Sequence, residues 1–169
     1  TLAGTLGYID AKYKTFIGPT GTDVANVRVF QNTPDWTLSG TLGATVPAGP
    51  GKVNASTTVS YRSLTHQFET ASPFLDQPGY ALWDAHLTYT FGKGRYSIGV
   101  HAKNITDKHY KTSGYQYIRT DPAGNPIGPA PANTPVPNGP YVPTLGKEGI
   151  ATAFYGNPRQ VFGTITAKF

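Results

Sequence analysis

The sequence predicts an all-β fold of antiparallel strands, and three observations lead to this prediction. Several segments of about 11 residues alternate apolar and polar side chains, as a strand with two different faces does. The chain is only 38% hydrophobic and 14% charged, and Thr, Ser, Asn and Tyr fill the middle ground. With 20 Gly and 15 Pro, no stretch holds enough good helix formers for a long helix.

Six strands are predicted from the alternation. The clearest is 36–46, with Trp36 and Leu38 on the apolar face and Thr37 and Ser39 on the polar face. The first strand is the weakest, with Leu2 as one of its few apolar residues. The six predicted segments are residues 1–12, 36–46, 53–63, 80–91, 95–105 and 159–169.

The connections between these strands alternate strictly between long and short. Residues 47–52 and 92–94 are Gly-rich turns, the second of them a tight hairpin. The long connections are 13–35, 64–79 and 106–158, and eight of the fifteen prolines lie between Asp121 and Pro143, which excludes interior strand pairing there. The alternation predicts long loops at one end of the sheet and turns at the other, the asymmetry of a transmembrane β-barrel.

Two further features favour a membrane. Strands of ~11 residues, tilted near 45°, span the ~25 Å apolar band of an outer membrane. The apolar face carries no charge from Trp36 to Phe91, and its aromatic residues fall in two bands. The loop-end band is Trp36, Tyr61 and Trp83, and the turn-end band is Tyr89, Phe91, Tyr96 and Phe169. Six strands cannot close such a barrel, so we expect an antiparallel transmembrane β-barrel segment of a larger barrel.

Several classes of function are excluded or disfavoured. Cysteine is absent, so disulfides and thiolate metal sites are excluded, and the four His have no metal-binding spacing. The net charge of +5 comes from Lys and Arg scattered singly, which disfavours nucleic-acid binding. No catalytic motif is present, so we expect neither an enzyme nor a cofactor. The first residues resemble the middle of a strand and not a signal peptide, so we expect the chain to begin within a larger protein.

Short motifs carry a resemblance to a known family. Residues 104–110, N-I-T-D-K-H-Y, are similar to N-L-T-D-x-x-Y, and residues 155–159, Y-G-N-P-R, are similar to Y-G-x-P-R. Upstream, residues 32–36 are similar to N-x-P-x-W. In this order they resemble the carboxy-terminal part of TonB-dependent outer-membrane receptors, over nearly the whole chain. The family-motif residues at this end are Asn104, Asp107, Tyr110, Tyr155, Gly156, Pro158 and Arg159.

The resemblance implies the last six of twenty-two strands, without the family's plug domain or TonB-contacting segment. It implies import of a scarce nutrient, most often a ferric siderophore, powered by the TonB energising complex through the plug. The long loops would be extracellular and the carboxy terminus periplasmic. Val161, Ile165 and Phe169 resemble the signal read by the barrel-assembly machinery, and outer-membrane lipid would surround the apolar face.

Individual side chains allow two interpretations each. Asn104 and Asp107 suit loop capping better than ligand binding, because Asn and Asp bond the local backbone at turns. Arg159 anchors the loop or neutralises an anionic substrate, and His86 and His101 face the lumen as hydrogen-bonding groups. The candidate ligand-binding residues in the longest loop, which alternatively pack over the barrel mouth, are Tyr115, Tyr117, Arg119 and Tyr141.

Two other readings of the whole chain compete with the receptor. A soluble β-sandwich that binds carbohydrate or another ligand would explain the Tyr and Trp content, but not the charge-free apolar face. An outer-membrane lipase or protease would need a nucleophile with a base, and the sequence indicates none.

Overall fold

A computed structural model describes residues 1–18, 21–72, 74–117 and 150–169 of the chain. Within these residues the secondary structure is eight strands and one short 3-10 helix, Ala25–Val27. The strands are β1 Leu2–Tyr8, β2 Trp36–Ala48, β3 Gly51–Arg62, β4 Tyr80–Phe91, β5 Tyr96–Lys103, β6 Lys111–Tyr117, β7 Ile150–Tyr155 and β8 Gln160–Ala167. The expected all-β class is confirmed. Among the described residues there is no helix with the length and apolar character of a membrane span.

Six of the strands form one antiparallel sheet in the order β1-β2-β3-β4-β5-β8. The sheet is open, with β1 and β8 at its edges, so the structure gives a six-stranded sheet and not a closed barrel. Gly49 has φ 53° in the turn between β2 and β3, and Gly92, Lys93 and Gly94 all have positive φ between β4 and β5. Glycine suits these left-handed positions because it has no Cβ. The turns fix the register, as in the pairing of Val46 with Val53.

The long predicted loop 106–158 differs most from expectation. It contains β6 and β7, which pair with each other from Lys111 opposite Tyr155 to Tyr117 opposite Ile150. This hairpin forms a separate two-stranded sheet. The proline-rich part between Asp121 and Pro143, which we expected to be free of interior strands, lies outside the described residues.

The strand ends also differ from the predicted ones. Pro47 belongs to β2 and lies opposite Lys52, so the predicted turn 47–52 shortens to Gly49 and Pro50. The first strand ends at Tyr8 and not at residue 12. The other predicted strands agree with the observed ones within about two residues, the usual uncertainty of strand ends.

The register brings the apolar positions of all six strands onto one face. One row across the sheet is Leu6, Leu38, Tyr61 and Ala81, each opposite the next. Within these six strands this apolar face carries no charged residue. Its side chains are uncovered, and Ile165 is 85% exposed. A face of this kind has no packed core beneath it.

The buried side chains lie instead in the long connections. The buried apolar side chains among the described residues are Pro34, in the segment before β2, and Leu75, in the segment between β3 and β4. A Cβ added at Gly114 of β6 would collide with Leu75, so the β6–β7 hairpin packs directly on this segment. The backbone of Asn32 donates to His66 O at 2.9 Å, which joins the connection before β2 to the connection after β3. The three long connections therefore pack together at one end of the sheet, called the loop end below.

Candidate functional site at the loop end of the sheet

Asn104 lies at the centre of a hydrogen-bond cluster where β5 ends. Its amide Nδ2 donates to Lys108 O at 2.9 Å and to Asn157 O at 3.1 Å, and its Oδ1 accepts from Lys108 N at 2.8 Å. Its backbone N–H donates to Asp84 Oδ1 at 2.9 Å. The side chain is buried, and φ is 49°, a conformation that Asn tolerates better than most residues. The predicted capping role therefore agrees with the geometry, since no side-chain donor of Asn104 is left for a ligand.

Asp107 joins this cluster to the start of β8. Its Oδ1 accepts from the backbone N–H of Arg159 at 2.8 Å, and its own N–H donates to Asn104 O at 2.8 Å. These contacts hold the backbone of Arg159. They do not involve its guanidinium, so the role of that group stays a prediction. Asp107, like Asn104, has the hydrogen bonds of a capping residue.

The remaining motif residues meet beside this cluster. Gly156 N donates to Tyr110 O at 2.9 Å, and a Cβ on Gly156 would overlap the Tyr110 ring. That ring also stacks on Tyr80, with centroids 4.7 Å apart. Tyr155 ends β7 and is 61% exposed, and Pro158 lies between β7 and β8. The fold thus brings the family-motif residues together. The hydrogen bonds described above hold the backbone of residues 104–110 against that of residues 156–159.

The predicted ligand-binding residues are only partly described. Tyr115 lies on β6, is 54% exposed, and meets Phe154 edge to face at 6.1 Å between centroids. Tyr117 ends β6, and its side chain, like all of Arg119 and Tyr141, lies outside the described residues. Tyr115 therefore has both a packing partner and an open surface, so its binding role stays a prediction.

The predicted assembly-signal residues lie at the sheet edge. Val161 and Ile165 are on the apolar face of β8, opposite Ala102 and Ile98, and Phe169 follows the end of the strand. All three side chains are strongly exposed. Their recognition by the assembly machinery stays a prediction.

A cleft in the connection before β2, with His66 of the connection after β3 in its wall, was not predicted from the sequence. It has a volume of about 380 Å³, within the range of small-molecule sites. Tyr13 and Phe30 stack in its wall with centroids 4.2 Å apart, and Asp35 and His66 also line it. The segment 13–35 has no strand alternation but holds three aromatic residues, which could have indicated a packed loop. The segment that contributes His66 lies some 35 residues further on, so no local pattern indicated that the two meet.

Most charges around this cleft are compensated. Arg28 lies over the Phe16 ring at 5.1 Å and pairs with Glu69 at 3.1 Å. His66 Nδ1 lies 3.0 Å from Asp76 Oδ2. Lys12 lies 3.0 Å from Asp10, and the hydrogen bond between them raises the pKa of Lys12.

Asp23, which does not line the cleft, orders the connection before β2. The backbone N–H groups of Phe16 and Ala25 both donate to Asp23 Oδ1 at 3.0 Å. These two donors stabilise the carboxylate and lower the pKa of Asp23. The segment is thus ordered at neutral pH by a charged turn residue.

Two histidines meet on the polar face of the sheet. His86 and His101 are direct cross-strand partners, with ring centroids 6.0 Å apart. Their Nε2 atoms bond to hydroxyls on opposite sides, His86 to Ser56 and His101 to Thr164 at 3.0 Å. Since each Nε2 bonds to a different neighbouring strand, the two do not form a common metal site as they stand. Within the described residues no group of three His, Asp or Glu is suited to hold a metal.

Ser56 Oγ and His86 Nε2 are hydrogen-bonded, the contact that a nucleophile and its base would make, and the sequence did not indicate it. The described residues supply no carboxylate bonded to His86, which a Ser-His-Asp arrangement requires. What the loop end offers is an open cleft and exposed aromatic residues, with no complete catalytic constellation among the described residues. Comparison of the chain with family models, with curated proteins and with solved structures finds no match.

Proposed function

We propose that this chain forms barrel wall and extracellular loops of an outer-membrane transport receptor of the TonB-dependent kind. Its cargo is a scarce nutrient, for which a ferric siderophore is the leading candidate. The observation that carries the proposal is the charge-free apolar face, which runs uninterrupted across six antiparallel strands and is uncovered. Soluble monomers rarely expose an apolar surface of this extent.

The dimensions of the apolar face fit a bilayer. From Ala81 to Phe91 there are ten steps along β4, or ~34 Å at ~3.4 Å per residue. At a tilt of about 45° this length spans ~24 Å, close to the ~25 Å apolar band of outer-membrane barrels. The strands β2, β3 and β4, with 12 or 13 residues each, are thus long enough to cross, whereas average soluble strands are about half as long.

The aromatic residues lie where two membrane interfaces would be. At the loop end Tyr8 and Trp36 have ring centroids 4.5 Å apart. At the turn end Phe91 contacts Tyr89 at 5.4 Å and Tyr96 at 5.5 Å. Aromatic girdles at both interfaces are characteristic of outer-membrane barrels.

The aliphatic hydroxyl on the apolar face is satisfied within the sheet. Thr57 is the only residue with an aliphatic hydroxyl on this face of the six strands. Its Oγ1 accepts from Trp83 Nε1 at 2.6 Å and donates to Asp84 O at 3.0 Å. A hydroxyl bonded in this way can face lipid, where an unpaired polar group costs several kcal/mol.

The open edges indicate how the sheet would be completed. In lipid, the unpaired backbone groups of β1 and β8 require partner strands, and a closed barrel supplies them. The proposed barrel has further strands, twenty-two in the family that the sequence resembles. The barrel-assembly machinery would fold it and the TonB energising complex would drive transport, with the loop end extracellular and the turn end periplasmic.

The competing soluble β-sandwich is less well supported. A sandwich buries its apolar face under a second sheet. Within the described residues the second sheet is the β6–β7 hairpin, which packs on Leu75 at the loop end and not on the apolar face. The receptor explains the uncovered face directly.

Fractionation and uptake together test the proposal. We expect the native polypeptide that carries this sequence to sediment with the outer membrane, to require detergent, and to have a mass of ~70 to 100 kDa, as a large plugged barrel would. Deleting its gene should abolish uptake of one radiolabelled ferric siderophore, and deleting TonB should do the same. A soluble 18.0 kDa product that keeps its sheet without detergent would contradict the proposal and favour the sandwich.

A further inference from the structure

The cleft in the connection before β2 combines aromatic rings with hydrogen-bonding groups. Tyr13 and Phe30, whose ring centroids are 4.2 Å apart, both line it and are both partly exposed. Phe16 meets Tyr13 edge to face at 5.2 Å, so three rings hold this wall in place. Asn26 and Asp35 belong to the same lining and are exposed. A fixed aromatic wall beside a few polar groups is the usual composition of a small-molecule site.

Three polar groups of the lining have unused hydrogen-bonding capacity. The carboxylate of Asp35 and the amide of Asn26 make no hydrogen bond or ion pair with other described residues. Arg28 donates from Nη1 to Glu69 at 3.1 Å, but its Nε is buried without a hydrogen-bond partner among the described residues. A buried donor without an acceptor is unfavourable, so an oxygen atom from outside the described chain would stabilise Arg28.

The charges around the cleft disfavour an ionic ligand. Lys12 lies 3.0 Å from Asp10 and Arg28 lies 3.1 Å from Glu69, so neither cation is free to bind an anion. The unpaired carboxylate of Asp35 would repel an anion, and the two cations in the same lining would repel a cation. The groups that remain can donate to or accept from hydroxyls. An uncharged ligand with many hydroxyls therefore fits this cleft better than an ion does.

We propose that the cleft binds a neutral saccharide, with one sugar ring packed on the wall of Tyr13 and Phe30. The C–H groups of a pyranose ring carry slight positive charge and are attracted to the negative face of an aromatic ring. The carboxylate of Asp35 accepts hydrogen bonds from two neighbouring hydroxyls, and bonds to a charged acceptor are the stronger kind. Arg28 Nε donates to a sugar oxygen. This site goes beyond the proposed transport and does not depend on it, because the long connections form the cleft and the strands do not.

Saturation-transfer difference NMR on the intact polypeptide detects weak binding of this kind. The polypeptide is kept in micelles of a detergent without a sugar head group, since such a head group would compete for the cleft. The neutral probes are maltotriose and cellotriose, and the charged probes of equal length are trigalacturonate and the trimer of glucosamine. We expect at least one neutral probe to bind with a Kd on the order of 1 mM, as suits a site with a few hydrogen bonds, and both charged probes to bind more weakly.

Two substitutions test the assignment of the groups. Asp35→Asn removes the charge but keeps the backbone carbonyl that accepts from Ile9 N at 2.9 Å, so the start of β2 is preserved. It should weaken binding of the neutral probe by roughly tenfold. Phe30→Leu keeps an apolar side chain without the aromatic face and should also weaken it. The matched control, Asp10→Asn, removes a carboxylate of the same connection that does not line the cleft, and should change the Kd by less than about twofold.

Three results would overturn the inference. The first is no saturation transfer to either neutral probe, and the second is an unchanged Kd in Asp35→Asn. The third is tighter binding of a charged probe than of both neutral ones, which would show that the cleft takes an ion. These results leave the proposed transport function untouched, since fractionation and uptake decide that separately.

Discussion

Replacing Leu87 with arginine puts a charge at mid-depth on the apolar face of β4. Leu87 is six residues from Ala81 and four from Phe91, lies opposite Val100, and is 51% exposed. If that exposure is to lipid, the substitution should cost ~2 to 4 kcal/mol, the penalty for Arg near the bilayer midplane of a barrel. If it is to water, the free energy of unfolding should change by less than about 0.5 kcal/mol, as at other surface positions.

Two matched variants define the comparison. Val46→Arg introduces the same charge on the same face near the turn-end interface, where ~0 to 1 kcal/mol is expected. Thr88→Arg places it on the polar face next to Leu87 and should be nearly neutral. The assay is a reversible denaturant titration of the intact polypeptide in lipid vesicles, followed by tryptophan fluorescence. Equal costs for Leu87→Arg and Thr88→Arg would refute the assignment of the two faces.

Three further predictions concern the loop end. Asn104→Ala removes three side-chain hydrogen bonds at ~1 kcal/mol each, so the same titration should report a free energy of unfolding lower by ~3 kcal/mol. Asn104→Gly should recover ~1 kcal/mol of this loss, because glycine adopts a positive φ without strain. A loss below 0.5 kcal/mol for alanine would contradict the capping role. Gly156→Ala should destabilise because the added Cβ collides with the Tyr110 ring and displaces it. The cost should be much smaller in a Tyr110→Ala background, whereas additive effects in this double-mutant cycle would contradict the contact. Lys111→Met removes the ammonium that donates to Phe74 O at 2.5 Å and to Asp76 O at 3.1 Å. Backbone hydrogen exchange should therefore accelerate in residues 64–79 and in β6, but not in β3. Unchanged exchange rates would show that the β6–β7 hairpin docks without Lys111.

The sheet was largely predictable because its signals are local. The alternation in 36–46 and 53–63 sets the face of each residue, and the turn at Gly49 and Pro50 leaves one register that keeps both apolar sets together. Asn104 and Asp107 were predictable as capping residues because Asn and Asp bond to nearby backbone wherever they occur in turns.

What was missed depends on contacts between distant residues. The strand β6 has no aliphatic side chain, so it shows no apolar alternation, and its partner β7 begins 33 residues after β6 ends. The cleft depends on pairs such as Arg28 with Glu69, which are 41 residues apart, and the contact of Ser56 with His86 spans 30 residues. No local pattern encodes these contacts, since both partners only meet once the sheet has formed.

The central claim, that one face of the sheet meets lipid and the other meets water, is tested most directly by a spin-label scan of β2. Single cysteines at each position from Leu38 to Val46 would carry a nitroxide in the intact, vesicle-embedded polypeptide. Collisions with oxygen, which dissolves in lipid, and with a water-soluble nickel complex are then compared by electron paramagnetic resonance. We predict a period of two, with oxygen favoured at Leu38, Leu42 and the other apolar positions and nickel favoured at the residues between them. High nickel accessibility on both faces, without that period, would contradict the membrane barrel.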